Sequence, residues 1–361
     1  MASFADMIKI KTFLVLFFVT ITFLSFPFKA ISQAGQVFAA VKKGNKWGFI
    51  DTVGKVQIPF NLEKEGSFRQ GVANVKYGKE WGYIDKKGTL ILKPRLLSAN
   101  PFHDGRALVS YFDPKDSLRY RGYINKFGYM ITVLANNEKG NDYNDGYARI
   151  CSQTKTGLLF GFKDSLDSFA IKAAYEDAGD FHEGMAAVKS GGKWGFIDQK
   201  NNLLVHPQFD DAYHFQEGMA YVSQGSNTSF INSKGEKVFT VGFDEVDVLV
   251  QDGMICFRDH GKIGFMNARG KVVIKPVFTA KTLTRFKDGL APIQADDGKY
   301  GYINKKGEFV IKPQFEDAQF FFNNYAVVKQ DGKYGFINKK GRWVIKPEYD
   351  DAYEFEPADF Y

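Results

Sequence analysis

Cysteine is almost absent: Cys151 and Cys256 are the only two in 361 residues. They fall in different repeats of the chain, as shown below, where the Cα separation is expected to exceed the limit of about 7 Å for a disulfide. They read as buried free thiols, and folding does not rest on a disulfide framework. Histidine is also scarce. His103, His182, His206, His214 and His260 are scattered, none at metal-ligand spacing from another, so no metal site is expected. The chain has no phosphate-binding Gly-Lys loop, no nucleophile elbow and no H-E-x-x-H pair, and no cofactor is implied. One-sided charge is missing too: 48 Lys and Arg alternate with 41 Asp and Glu. The net charge of +7 drops to +5 without residues 1–34, which carry Asp6 against Lys9, Lys11 and Lys29. Without a basic cluster, nucleic acid is not an expected partner.

What the chain does have is 36 Phe, 36 Gly and an aromatic content of 16%, a mixture suited to short strands between tight turns and opposed to disorder. Its length allows two or three domains or one extended repeat domain. At the N-terminus, Lys9 and Lys11 precede the uncharged run Thr12 to Phe28, and Ser32-Gln33-Ala34 offers small residues where a signal peptidase reads. The expectation is a signal peptide over 1–34 and export to the periplasm, cell surface or medium. The alternative is an uncleaved anchor over 12–28, which would be the only membrane contact. No Cys follows the apolar run to take a lipid.

Self-similarity organises the rest. Lys46 to Asp51 reads KWGFID, Glu80 to Asp85 EWGYID, Lys193 to Asp198 KWGFID, Lys299 to Asn304 KYGYIN and Lys333 to Asn338 KYGFIN. Weaker copies surround Gly122, Gly161, Ser229 and Gly264. The central positions, 48, 82, 122, 161, 195, 229, 264, 301 and 335, define nine units of about 34 residues over 35–361. These motifs resemble the bacterial WG-repeat family, through the W-G-[FY]-I-[DN]-x-x-G core, a Pro about 12 residues after the central Gly, and the downstream [DE]-[DE]-A and F-x-[DE]-G elements. The resemblance implies a bacterial β-repeat protein, often exported, for which binding or scaffolding is presumed and no general catalysis is attributed. It is weakest in the third, fourth and sixth units, where Arg121, Phe160 and Thr228 replace the Trp.

The fifth unit reads as a meander of three strands, Met185 to Val188, Lys193 to Asp198 and Leu203 to Val205. An Asp or Asn opens the second turn and a Gly lies three residues on; Asn201 takes that Gly place and is expected at positive φ. The third strand is expected to end at its Pro: Pro59, Pro94, Pro207, Pro276, Pro313 or Pro347. The link aromatics Phe209, Phe278, Phe315 and Tyr349 are expected to plug the seams between units. The fold class is therefore all-β. An open β-solenoid or superhelix is expected, because nine three-stranded units exceed the usual propeller, no split unit marks a closure, and the alternative is a closed propeller-like ring.

Acidic pairs such as Asp210-Asp211 and Asp350-Asp351 recur in one repeat column, which marks a turn or link device rather than a catalytic pair. Asp and Asn interchange in the column Asp51 to Asn338, so that position needs an oxygen and not a charge. Trp47, Trp81 and Trp194, which might form a sugar-stacking ladder, read instead as structural core beside Gly48, Gly82 and Gly195, because Tyr300-Gly301 and Tyr334-Gly335 fill the same slots. The chain is expected to be an exported, non-catalytic repeat protein binding a protein or polysaccharide. A carbohydrate-active hydrolase would need one deep cleft with two carboxylates breaking the repeat, and a passive spacer would show no distinct patch. The place singled out for binding is where the repeat is broken. From the first-strand Ala to the central Gly is nine residues in regular units such as 73–82, but fifteen over 107–122 and thirteen over 148–161. The enlarged hairpins carry Tyr111, Phe112, Lys115, Arg119, Tyr120 and Arg121, and, in the next unit, Lys155. Tyr and Arg are favoured at binding hot spots.

Overall fold

A computed structural model describes residues 37–357 except 65 and 156; the expected leader, residues 1–34, lies outside the described residues. Within the compact unit Gly35–Tyr361, the described segments are strands and turns, arranged in eight antiparallel sheets.

The fifth unit shows how one copy of the repeat is built. Met185–Ser190, Lys193–Asp198 and Leu203–Phe209 form an antiparallel meander. In the second turn, Asp198 Oδ1 accepts the amides of Lys200 and Asn202, and Asn201 has φ of 66° where other units place Gly. Asn232, Asn267, Asn304 and Asn338 make the same two bonds through Oδ1, so the column is held by an oxygen whatever its charge.

The third strand does not end at its Pro. Trp194 pairs with Phe209 and Phe196 with Val205, so His206, Pro207 and Gln208 bulge opposite the single residue Gly195. Inside such a bulge the Pro needs no ladder N–H, and the strand continues beyond it. The bulge also explains the Gly. A Cβ at 195 would lie 2.4 Å from the Val205 carbonyl oxygen and 2.7 Å from Pro207 N. The sixth unit is the control: its third strand Lys237–Thr240 has no Pro, Ser229 pairs directly with Thr240, and a side chain replaces the Gly.

Most links add a strand, several of them only two residues long and too short for the sequence pattern to announce. Asp177–Ala178 pairs with Lys189 and Val188, and Asp211–Ala212, Glu245–Val246 and Asp317–Ala318 pair likewise with the first strand of the following unit. Most sheets are thus four strands in the order link, first, second, third. Between the second and third units the link merges into one long strand, Leu90–Ala99, giving a seven-stranded sheet.

The core lies in the seams. Phe215 of the fifth link meets Phe196 edge-on at 4.8 Å, in a cluster joining Val205 and Phe209 to Ala220, Val222 and Ile231 of the next unit. Phe49–Phe68, Tyr302–Phe321 and Phe336–Phe355 repeat this contact at 4.7 to 4.9 Å. The link aromatics Phe209, Phe315 and Tyr349 are buried and Phe278 is half-buried, in line with a seam role.

On the outer side of the first strand, Val37–Lys43, Val41 pairs with Ala352 and Lys42 with Asp351, the same relation that joins Val188 to Ala178 and Lys189 to Asp177. Phe38 pairs with Glu356 and Val37 with Pro357. Ala39, Val41 and Ile50 share a core cluster with Phe336, Ile345, Tyr349, Ala352 and Phe355. Because a link strand belongs to the sheet that follows it, the complete link after the last unit is the missing strand of the first sheet.

Candidate functional site

The carboxylates are largely engaged by backbone amides. In the acidic pairs the first member caps the next hairpin: Glu176 accepts the amides of Gly191 and Gly192, Asp210 that of Gly225, and Asp350 that of Gly44. Lys193 and Lys333 pair with Asp210 and Asp350, and these bonds, more than the amide, hold both carboxyls below the usual range.

A second column joins successive links head to tail. Gln70, Asp104, Asp145, Glu183, Glu217, Asp252 and Asp288 all sit at positive φ, between 48° and 54°. Each side chain accepts an amide from the corresponding turn of the next unit, at Gly105, Gly146, Gly184, Gly218, Gly253, Gly289 and Asn324, at 2.7 to 2.9 Å. The bond across the seam, charge-assisted in the six members that are acids, offsets the cost of the left-handed backbone. At the chain's end, Pro357 stands where the acid would, and Glu356, one position earlier and in the same column as Arg69, reaches Arg69 of the first link turn at 2.8 Å.

Other link residues also meet. Asn100 donates to Asp142 at 2.9 Å, Arg149 pairs with Asp180 at 3.0 Å, and Arg285 holds the buried Asp247 through two nitrogens. His182, which follows Phe181, and His214, which precedes Phe215, come from consecutive links and stack with centroids 4.1 Å apart. Burial, then the charge of His182, lowers the His214 pKa. Among the described residues no group of three or more His, Cys, Asp or Glu is placed to hold a metal ion. Both cysteines are free; Cys256 is buried, its thiol pushed up to about 12 by desolvation, whereas Cys151 is only half-buried.

The enlarged hairpins form as long strands, Arg106–Asp113 with Leu118–Asn125, and Tyr147–Thr154 with Gly157–Lys163. Tyr111 stacks on its cross-strand partner Tyr120 at 5.5 Å, and the Tyr120 hydroxyl donates to Asp116. Phe112 pairs with Arg119, and Ser110 with Arg121. The alternation of a strand therefore puts the Tyr pair on one face and Phe112, Arg119 and Arg121 on the other. Lys115 and Lys155 are exposed, Lys155 near the tip of the other hairpin in a separate sheet. In the Trp column, Trp47 is buried and stacked on Tyr353 at 5.4 Å, while Trp81, Trp194, Tyr300 and Tyr334 are half-buried. Lys189 lies over Trp194 at 5.9 Å and Lys329 over Tyr334 at 5.3 Å, cross-strand pairs that cover the rings. Their glycines, Gly48, Gly82, Gly195, Gly301 and Gly335, are all needed by a third strand: a Cβ would fall within 2.4 to 2.7 Å of its carbonyl.

A cavity of about 520 Å³ lies where the last link meets the first two units. Lys64, Arg69, Trp81, Tyr353, Glu354 and Glu356 are among its lining residues. Burial pushes the Glu356 carboxyl up to about 7 against the opposing pull of Arg69. Sequence reasoning passed over this place. Its signals were present as two breaks in the repeat, Lys64-Glu65-Gly66 in place of Asp-Ala-Tyr and Pro357-Ala358 in place of acid-Gly.

The WG-containing-repeat family model matches residues 47–81, 81–111, 160–194, 194–227, 263–300, 300–334 and 334–357. The chain belongs to this family. Between these seven consecutive matches lie parts of the third, fourth and sixth units, the stretches where the motif is weakest. No curated protein sequence matches the chain. Among solved structures, a eukaryotic initiation factor is similar with a TM-score of 0.58 at 10% identity, covering 91% of this chain and 100% of that one. BamB from Moraxella catarrhalis gives a TM-score of 0.39 at 8% identity, covering 84% and 91%. A quinonprotein alcohol dehydrogenase-like protein from Bacteroides thetaiotaomicron gives 0.30 at 10% identity, covering 89% and 90%. The first likeness bears on fold alone: an all-β arrangement of small antiparallel sheets with β-propeller-like neighbours.

Proposed function

We propose that this WG-repeat protein is a ring of nine units, exported from the cell, that works as a non-catalytic scaffold binding a protein or a polysaccharide. The ring is favoured by the last link, which pairs with the first strand as Asp177–Ala178, Asp211–Ala212, Glu245–Val246 and Asp317–Ala318 pair with theirs. It is also favoured by the seam clusters, each joining one unit to the next and one joining the last to the first. Export rests on the Lys-apolar-small pattern of residues 1–34.

The observation that carries the binding reading is the engagement of the repeat's acids. They cap hairpins, hold turns and tie one link to the next, so the recurring carboxylates are accounted for as structure. Recognition then falls to the places where the repeat is broken, and the long hairpins around Tyr111, Phe112, Arg119, Tyr120, Arg121 and Lys155 offer aromatic and cationic contacts. The test is to trim both hairpins to regular length and to measure melting together with binding to a panel of purified polysaccharides and envelope proteins. An unchanged melt with lost binding is expected. Unchanged binding by the trimmed protein would overturn the assignment to the hairpins, and no binding by the wild type to any of the panel would favour a passive spacer.

A further inference from the structure

The cavity at the closing seam shares its columns with a smaller cavity of about 180 Å³ lined by Thr284, Pro292, Tyr300 and Ala318, and differs from it in carrying Trp81, Arg69, Glu354 and Glu356. It needs the last link, which supplies Tyr353, Glu354 and Glu356, as well as the first link and the second unit, which supply Lys64, Arg69 and Trp81. Its volume of about 520 Å³ falls in the range of small-molecule sites. The side chains named carry both signs, Lys64 and Arg69 against Glu354 and Glu356, so the cavity does not present a field of one sign to a ligand.

What the lining offers instead is an aromatic platform ringed by donors and acceptors. The Lys64 ammonium lies 5.8 Å from the centre of the Trp81 ring, a hydrogen-bond donor beside an apolar face. Arg69 and Glu356 form an ion pair at 2.8 Å, with the guanidinium donating and the carboxyl accepting. Because burial holds the Glu356 carboxyl near 7, around neutral pH it is present in both forms, one a donor and one an acceptor. A cyclic polyol has the matching chemistry: apolar C–H faces for the indole and phenol, and hydroxyls that donate and accept at once. We infer that the closing-seam cavity is a binding site for a neutral saccharide of roughly one or two rings. This deepens the binding reading by adding a site away from the long hairpins, and it rests on that reading only in taking the chain as a binder.

The test is calorimetric titration of the full chain with maltose, cellobiose, chitobiose and lactose, with Trp fluorescence as a second readout. Saturable binding of at least one disaccharide is expected, weakened tenfold or more by Glu354→Gln and by Lys64→Ala, which alter side chains at the cavity without opening the core. Trp81→Phe should keep part of the affinity and Trp81→Ala should lose it. The hairpin-trimmed chain should bind the disaccharide as wild type does, which separates this site from the hairpin surface. The inference is overturned if no probe binds at about 10 mM, or if Glu354→Gln and Lys64→Ala bind as tightly as wild type while melting normally. Release of reducing ends from a bound disaccharide would support the site and its ligand class but overturn the non-catalytic reading.

Discussion

The seam between the fifth and sixth units and the seam between the last and first units are built from the same parts, although one is joined by continuous chain and the other by residues more than 300 positions apart. In the first, Phe215 packs on Phe196 at 4.8 Å and Asp210 caps the hairpin at Gly225. In the second, Phe355 packs on Phe336 at 4.7 Å and Asp350 caps the hairpin at Gly44. They differ in the link turn. Glu183 and Glu217 accept backbone amides of the next turn, whereas the equivalent position after the last unit is Pro357, and Glu356 before it takes the Arg69 side chain. The comparison teaches that the contacts of a link do not depend on chain continuity.

The largest test of this equivalence is Phe355→Ala beside Phe215→Ala. If both seams are core, each costs about 3–5 kcal/mol in chemical denaturation; a nearly silent Phe355→Ala would break the comparison. Next comes Gly195→Ala, which forces a Cβ to 2.4 Å from the Val205 carbonyl and is expected to cost about 3 kcal/mol. Ser229→Ala, in the unit without the bulge, should stay within about 0.5 kcal/mol. Trp194→Ala should cost about 2 kcal/mol, less than a fully buried Trp, because the ring is half-exposed, and should leave ligand capture intact. The pH dependence is a smaller effect. Glu356 is raised from 4.5 to about 7 by burial, so the native state binds more protons in that window. Stability should fall as pH rises from about 4.5 to about 7, and Glu356→Gln should flatten the slope in melting curves across that range. Smallest of all, Asp198→Asn should shift the melt by no more than about 0.5 kcal/mol, since Asn makes the same turn bonds in five other units.

Much of the fold was legible because it repeats. The meander, the turn oxygen, Asn201 at positive φ and the packing of the link aromatics follow from local chemistry seen many times over. Two local features were misread or hidden. Pro207 looked like a strand terminator, because the bulge that accommodates it is defined only by the partner strand. Asp177–Ala178 is too short to show strand periodicity, and without it the four-stranded sheets could not be counted. That same omission hid the split sheet: a unit drawn to finish at the end of its link looks complete, although the link strand belongs to the next sheet. The site was less legible still. The long hairpins were visible as changes in spacing, but the cavity depends on Trp81 and Glu356 meeting across the molecule, and the stacking of His182 on His214 likewise comes from the alignment of links rather than from any spacing motif.

The central claim, that the last link closes on the first strand, is tested most directly by a cross-link at their pairing. Lys42 and Asp351 are opposite neighbours on antiparallel strands, a separation compatible with a disulfide. Lys42→Cys and Asp351→Cys in one full-length chain, with Cys151→Ser to remove the half-buried thiol, should form an intramolecular bond on mild oxidation, seen by intact mass and by a faster band on non-reducing gels, with an unchanged or raised melting temperature. A chain that stays reduced under the same conditions, or that links only to other chains, would contradict closure and restore the open array.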